Sequence, residues 1–361
     1  MAKEKEKSEV FGLKVEKKKA ELAHEFLLKN QLLRPELKAR HEGEFVVFPL
    51  QGSLGPAGEK QLKRRLKKFS VLKAEFELKR KKPGTLKEAL GGMLSKNELD
   101  GLITSFDTVG DIAMIEITRA LEPKEKLIGQ AVLEVNQSIK TVLKIASAHK
   151  GKFRVADVEV IAGQKKTRAV YKESGCTMTV DLAKSFFSPR LSHERARIAA
   201  KIKKGEVVGS FFAGVGPFPI VFARKSKMER AFAVELNPHA FKDMCYNIRL
   251  NKMEGKIIPV LGDVNQVVET QLAGKCDRVV MPLPHGGEDF LESAFNALKK
   301  KEGGVIHFYQ FVEKKAPYGA PLRKVRAVAK KLGKKIKVLN KRQVRSFSPA
   351  RIQVVIDFQV K

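Results

Sequence analysis

The chain has 361 residues, about twice the length of an average domain, so two or three domains with ample core are expected. Its 71 Lys and Arg against 40 Asp and Glu give a net charge of +31, a balance suited to a polyanionic partner and silent about fold. A hydrophobic fraction of 43% with 22 Phe excludes wholesale disorder. Cys176, Cys245 and Cys276 are too few and scattered for a disulfide scaffold, and no Cys/His spacing suggests a metal site. No apolar run approaches the roughly 20 residues of a membrane-spanning helix. The start MAKEKEKSEV, with Glu4, Glu6 and Glu9, fits neither a signal nor a transit peptide. A soluble, cytoplasmic protein that binds nucleic acid and no membrane is expected.

Residues 1–52 read as a small module. Val15, Ala20, Ala23, Phe26, Leu27 and Leu33 predict a helix within 15–33, and EFVVFPL predicts a strand over 44–50. Gly52, Ser53, Gly55, Pro56, Ala57 and Gly58 predict a linker over 53–60. Residues 61–175 read as an α+β domain: GLITSFDTVGDIAMIEI alternates like sheet, and IGQAVLEVNQSIKTVLKIA reads as helix then strand. Over 176–361, the apolar runs EVVGSFF, RAFAVEL, KIIPVLG, DRVVMPL, GVIHFYQF and RIQVVIDFQV alternate with helix-length segments. That alternation predicts an α/β fold with a doubly wound, largely parallel sheet.

The candidate chemistry lies at the strand tips. VVGSFFAGVGPFPIVFARK (207–225) reads as strand, glycine turn and helix, with Gly214 and Gly216 permitting close backbone approach to a ligand. The next strand ends at Glu235, the third at Gly262-Asp263-Val264 and the fourth at Met281-Pro282-Leu283-Pro284. An acid at the second tip suits a ribose diol in a Rossmann-like crevice; the lesser alternative is that Glu235 and Asp263 merely cap the helices that follow. Pro219 stands where a dinucleotide fingerprint needs its third glycine, and no P-loop Lys appears, so S-adenosyl-L-methionine fits better than a phosphate-bearing cofactor.

The strings SPRLSHERARI (188–198), FFAGVGPF (211–218), VELNPHAFKDMCYNIRLNK (234–252), DRVVMPLP (277–284) and RSFSPARIQVVIDF (345–358) resemble the archaeal-eukaryotic tRNA (guanine-37-N1)-methyltransferase family. FDTVGDIAMIEI (106–117) and the early GLKVEKKKAELAHEFLLKNQLL extend the resemblance from about residue 10 to the last strand. It implies a class I S-adenosylmethionine methyltransferase domain behind an α+β domain and a first module that checks the tRNA elbow. The partner is then tRNA, held at elbow and anticodon loop by a monomer. By resemblance, Arg195, Phe212, Ala213, Gly214, Gly216, Glu235, Leu236, Asn237, Asp263, Val264 and Pro282 line the cofactor site. Arg190, Pro284 and Arg345 meet the substrate.

The family's catalytic pair corresponds to Arg154 and Glu194. Guanine N1 becomes nucleophilic only as it loses its proton, which Glu194 would take as general base. Charge moving onto O6 would be stabilised by the Arg154 guanidinium, with no covalent enzyme intermediate. Otherwise Glu194 is an ion-pair partner for Arg190, Arg195 or Arg197, and Arg154 a phosphate contact. Two positions depart from the family pattern: Ser210 stands where many members have an acid, and Pro282 where they have Asn. The first leaves open how the cofactor's amino group is held. Between Glu313 and Asp357 there is no acid but 14 Lys and Arg, some on a solvated face of a helix over 321–332 and others set to meet phosphates. Two other readings remain at this stage. One is a wyosine-pathway enzyme that transfers an aminocarboxypropyl group, or a second methyl, at the same nucleotide; the other is a non-catalytic tRNA-binding protein.

Overall fold

The computed structural model describes residues 7–78, 83–147 and 151–361; Glu4 and Glu6 lie outside them. The chain divides into two compact units, 1–82 and 83–361. In the first, β1 (Lys7–Glu16), α1 (Ala20–Lys29), β2 (Arg40–Glu42), β3 (Phe45–Pro49), α2 (Gly55–Leu66) and β4 (Ser70–Glu77) follow in order. The sheet order is β2-β3-β1-β4, antiparallel throughout. Ala23, Phe26 and Leu27 of α1 and Leu62 and Leu66 of α2 bury against Leu13, Val46 and Phe48.

This departs from the expected linker over 53–60. Pro56 sits in the first turn of α2, where its fixed φ and missing N–H are compatible with a helix, so the Gly/Pro stretch is a helix start. The strand β4 then returns to pair with β1, and the unit ends at residue 82 rather than near 52.

The second unit begins with α3 (Leu86–Leu90), α4 (Lys96–Asp100), β5 (Phe106–Val109), β6 (Ile112–Ile115), α5 (Glu125–Val135), β7 (Thr141–Ile145) and β8 (Val158–Gly163). The four strands form a mixed sheet covered by α5 through Ile128 and Val132. A hairpin follows, β9 (Arg168–Glu173) and β10 (Cys176–Asp181), turned at Ser174 and Gly175, both with positive φ. The hairpin spans the boundary expected at 175/176. Its Ala169 and Val180 share one core with Val109, Ile112 and Leu143 before it and Val215 and Ala240 after it, so 83–361 folds as one unit.

The doubly wound part contains α6 (Ser192–Ala199), β11 (Val207–Phe211), α7 (Pro217–Lys225), β12 (Arg230–Glu235), α8 (Pro238–Leu250), β13 (Ile257–Leu261), α9 (Val264–Val267), β14 (Arg278–Met281), α10 (Leu291–Ala297), β15 (Gly304–Glu313), α11 (Gly319–Lys331), β16 (Ile336–Ser346) and β17 (Arg351–Val360). The sheet order is β13-β12-β11-β14-β15-β17-β16. Strands β11 to β15 are parallel, and β17 inserts antiparallel between β15 and β16. One face packs on α6, α7 and α8, the other on α9, α10 and α11. The order reverses between β11 and β14, which places a ligand crevice over their C-terminal ends. Among the described residues no helix is long and apolar enough to cross a membrane.

The open edge of β10 is closed by side chains. Asn247 accepts from Thr179 N–H (2.8 Å) and donates to the Thr179 carbonyl (2.9 Å). Asn251 accepts from Thr177 N–H (3.0 Å) and donates to the Thr177 carbonyl (2.7 Å). Asp243 accepts from Asp181 N–H at 3.3 Å. Four helical residues rise about 6 Å and two strand residues span about 6.6 Å, so side chains at every fourth position of α8 meet every second residue of β10. Asn247 also donates to the Val215 carbonyl (3.0 Å), tying the ladder to the glycine turn.

Candidate active site

The glycine turn after β11 is built from unusual backbone. Gly214 and Gly216 have φ of +58° and +88°, and a Cβ on Gly216 would meet Met244 at 3.0 Å. Phe212, with a side chain, holds φ +54°. A left-handed non-glycine residue costs about 1–3 kcal/mol and is concentrated at functional sites. Its ring stands edge-on to Phe290, with 4.9 Å between centroids, while Ala213 is buried beneath the turn.

Glu235 closes this turn from the second strand tip. Its carboxylate accepts from Gly214 N–H and from Asn237 N–H, both at 2.7 Å. Burial pushes its pKa up, opposed by these backbone donors. Asn237 is the N-cap of α8 and donates to the Lys184 carbonyl (2.8 Å). Leu236 beside it is 37% exposed, an apolar surface at the crevice. At the third tip Asp263 caps α9 by accepting from Asn265 N–H (2.9 Å), with Val264 buried behind it. For Asp263, then, the capping arrangement is present.

At the fourth tip, Pro282 and Pro284 are half-buried in a turn whose Pro284 carbonyl accepts from Phe311 N–H (2.9 Å). Arg154, also with a positive φ (+54°), crosses from the loop before β8 and donates through Nη2 to the His285 carbonyl at 2.9 Å. Since β14 neighbours β11, this guanidinium stands at the strand tip adjoining the glycine turn.

Glu194 lies in the first turn of α6 and is 2% exposed. Its Oε1 accepts from Arg197 Nε, while Oε2 lies 3.9 Å from Arg342 Nη1, beyond hydrogen-bonding distance. Of the three arginines considered as ion-pair partners, Arg197 is the one it meets. Arg190 instead pairs with Asp107 on β5 (2.5 Å). Arg345 donates to Gln353 (2.7 Å), and burial together with the nearby Arg190 charge lowers its pKa.

Three families of model match the chain: the TRM5/TYW2 methyltransferase domain over 169–339, the TYW2 N-terminal domain over 86–167 and the tRNA methyltransferase 5 N-terminal domain over 12–56. The chain is 36% identical over 349 residues to tRNA (guanine(37)-N(1))-methyltransferase Trm5b of Pyrococcus abyssi, covering 97% of this chain and 98% of that protein. It belongs to the archaeal-eukaryotic tRNA (guanine-37-N1)-methyltransferase family. The solved complex of aTrm5 and tRNALeu aligns with a TM-score of 0.73 at 34% identity, over 97% of this chain and 100% of that one. A tRNA(Phe) (4-demethylwyosine(37)-C(7)) aminocarboxypropyltransferase of Methanocaldococcus jannaschii is 32% identical and spans 70% of this chain and 96% of its own. The methyltransferase relative therefore matches the first unit as well as the second.

The family resemblance placed Arg195 at the cofactor, and here the structure differs. Arg195 is 1% exposed: Nε and Nη2 are bonded to Glu173, Nη1 to the Ser188 carbonyl, and its plane lies near the rings of Phe187 and Phe218. Every face is occupied, so it braces the loop before α6 and has no surface for a ligand. Ser210, at the family's acidic position, is fully buried with an unpartnered hydroxyl. The acid-free segment splits much as its composition suggests: Lys324 and Lys331 pair with Glu288 and Glu292 across the α10 side, while Lys334, Lys335, Lys337 and Lys341 stay exposed. The sequence reading missed Asp107, Glu173 and Asp357, the carboxylates that hold Arg190, Arg195 and Arg197. Their partners lie 83, 22 and 160 residues away, and no local pattern links them.

Proposed function

We propose that this protein transfers the methyl group of S-adenosylmethionine to N1 of guanosine 37 in tRNA. The carrying observation is the clasp of Arg154 on the His285 carbonyl, which sets a guanidinium at the strand tip beside the glycine turn. The residues fit the cofactor: Glu235 offers carboxylate oxygens for a ribose diol, exposed Leu236 an apolar platform, and the Phe212–Gly216 turn close backbone approach. The bound sulfonium supplies an electrophilic methyl group. Glu194 removes the N1 proton, and Arg154 stabilises the charge that moves onto O6. The target base reaches Glu194 by displacing the Arg342 side chain, which is 42% exposed and held only at 3.9 Å. Pro284 and Arg345 shape the target pocket, with Pro282 at the cofactor side of the same turn. The exposed basic residues hold the tRNA, and the first unit reads its elbow. A cytoplasmic location follows from this substrate.

Nucleoside mass spectrometry of G37 transcripts treated with protein and S-adenosylmethionine tests the reading. We expect 1-methylguanosine, and Glu194→Gln should slow single-turnover transfer about 100-fold with tRNA binding retained. A heavier adduct would indicate aminocarboxypropyl transfer. Equal labelling of a transcript lacking G37 would sink the assignment, and tRNA binding without cofactor binding would leave the non-catalytic reading.

A further inference from the structure

Behind Glu194 runs a chain of buried polar groups that spans three strands of the sheet. Arg197 donates through Nε to Glu194 and through Nη1 (2.5 Å) and Nη2 (3.1 Å) to Asp357 of β17. Asp357 Oδ1 lies 2.6 Å from His307 Nδ1 on β15, and His307 Nε2 lies 2.7 Å from Arg278 Nη1 on β14. Arg278 pairs in turn with both carboxylate oxygens of Glu206, at 2.8 and 3.0 Å. Because a guanidinium only donates, His307 Nε2 must accept. The imidazole is therefore neutral, with its proton on Nδ1 and donated to Asp357. Its pKa, lowered to about 4 by burial, agrees. Asp357 is thereby fixed as a charged acceptor, its own pKa driven well below the carboxylate range by His307 and Arg197 against the burial cost.

Resting on the assignment of Glu194 as the base, we propose that Arg197 and Asp357 are positioning residues that orient Glu194 and set its readiness to take a proton. One guanidinium is shared between two carboxylates. Arg197 donates to Glu194 and to Asp357 at once, so its position and its positive charge are divided between the two carboxylates. The other groups facing this pair are Arg342 of β16, Tyr309 and His307 of β15, Lys201 after α6 at 3.2 Å from Asp357, and Arg278 of β14. Removing Arg197 leaves the buried Glu194 with only the more distant Arg342 guanidinium at 3.9 Å, and removing the Asp357 charge leaves the Arg197 cation undivided. The two changes should act in opposite directions.

The test is the pH dependence of single-turnover methyl transfer to a G37 transcript at saturating S-adenosylmethionine. Arg197→Gln should move the acid limb of the profile to higher pH by about one unit or more, the size of a lost opposite charge. Asp357→Asn should move it to lower pH and reduce the plateau rate, and Arg197→Lys should return the limb toward the parent. Thermal unfolding and cofactor calorimetry on each variant identify those that remain folded. If Arg197→Gln unfolds, Asp357→Asn alone decides, by the presence or absence of its downward shift. Lower plateaus with unmoved limbs would overturn the proposal in favour of packing alone. Failure of the underlying assignment is separate: Glu194→Gln with its acid limb and rate intact removes the base itself, whatever the other variants do.

Discussion

Asn247 joins the hairpin, helix α8 and the glycine turn, so its loss should be felt in both stability and cofactor binding. Asn247→Leu keeps the same branched skeleton in a somewhat bulkier side chain but deletes hydrogen bonds to Thr179 N–H, the Thr179 hydroxyl, the Thr179 carbonyl and the Val215 carbonyl. At about 1 kcal/mol each the loss is about 4 kcal/mol, a large share of the 5–15 kcal/mol typical of a folded domain. For a unit of this size that is a fall in Tm of roughly 10 °C. Scanning calorimetry reads the first effect. Titration calorimetry with S-adenosylmethionine reads the second, because the turn loses its anchor at Val215. Asn251→Leu is the control: it unpairs Thr177 and the Asn247 carbonyl without touching the turn, so it should lower Tm by about three quarters as much and leave cofactor affinity unchanged. A Tm for Asn247→Leu within about 2 °C of the parent, or equal cofactor effects from both variants, would refute the ladder argument.

His307 gives a pH dependence of stability. Its folded pKa of about 4 lies below the unfolded value near 6.5, so its contribution is fully present above pH 6.5 and is lost as pH falls through 4, by roughly 3 kcal/mol; chemical denaturation across pH 7 to 4 should show this loss, and His307→Asn should flatten it. Glu235→Gln places an amide against the Gly214 and Asn237 N–H donors and should raise the cofactor dissociation constant about 10- to 100-fold by calorimetry, with an unchanged constant removing Glu235 from the site. Replacing exposed Lys334, Lys335, Lys337 and Lys341 with Ser should flatten the slope of log K against log salt for tRNA by up to roughly 3, at about 0.7 per single-strand phosphate contact. Arg154→Ala should slow methyl transfer while leaving that slope nearly unchanged.

The parallel strands were legible because strands buried on both faces are continuous apolar runs, and their tips stand out as the glycines, acids and prolines that end them. Gly214, Glu235 and Asp263 therefore announce the crevice locally. Two elements misled for the opposite reason. Pro56 signals a loop or a helix start equally well, and only the burial of Leu62 and Leu66 decides for helix. Strand β16, at the sheet edge, alternates exposed Lys337, Leu339, Lys341 and Gln343 with half-buried residues, and its strand period is hidden within the run of bases between Glu313 and Asp357. What stayed illegible is the charge pairing. Whether Arg195 faces a ligand or Glu173 depends on where a hairpin docks, and the link from Arg197 to Asp357 depends on a strand laid down 160 residues later.

That late strand separates two stages of assembly. The crevice between β11 and β14 is complete once the parallel strands have wound, whereas Asp357 arrives only when β17 has inserted between β15 and β16. Such non-local pairing closes a long loop and is slow to form. On the assignment proposed above, a chain whose β17 has not yet docked would hold the strand tips of the crevice but lack the carboxylate that anchors Arg197 beside Glu194.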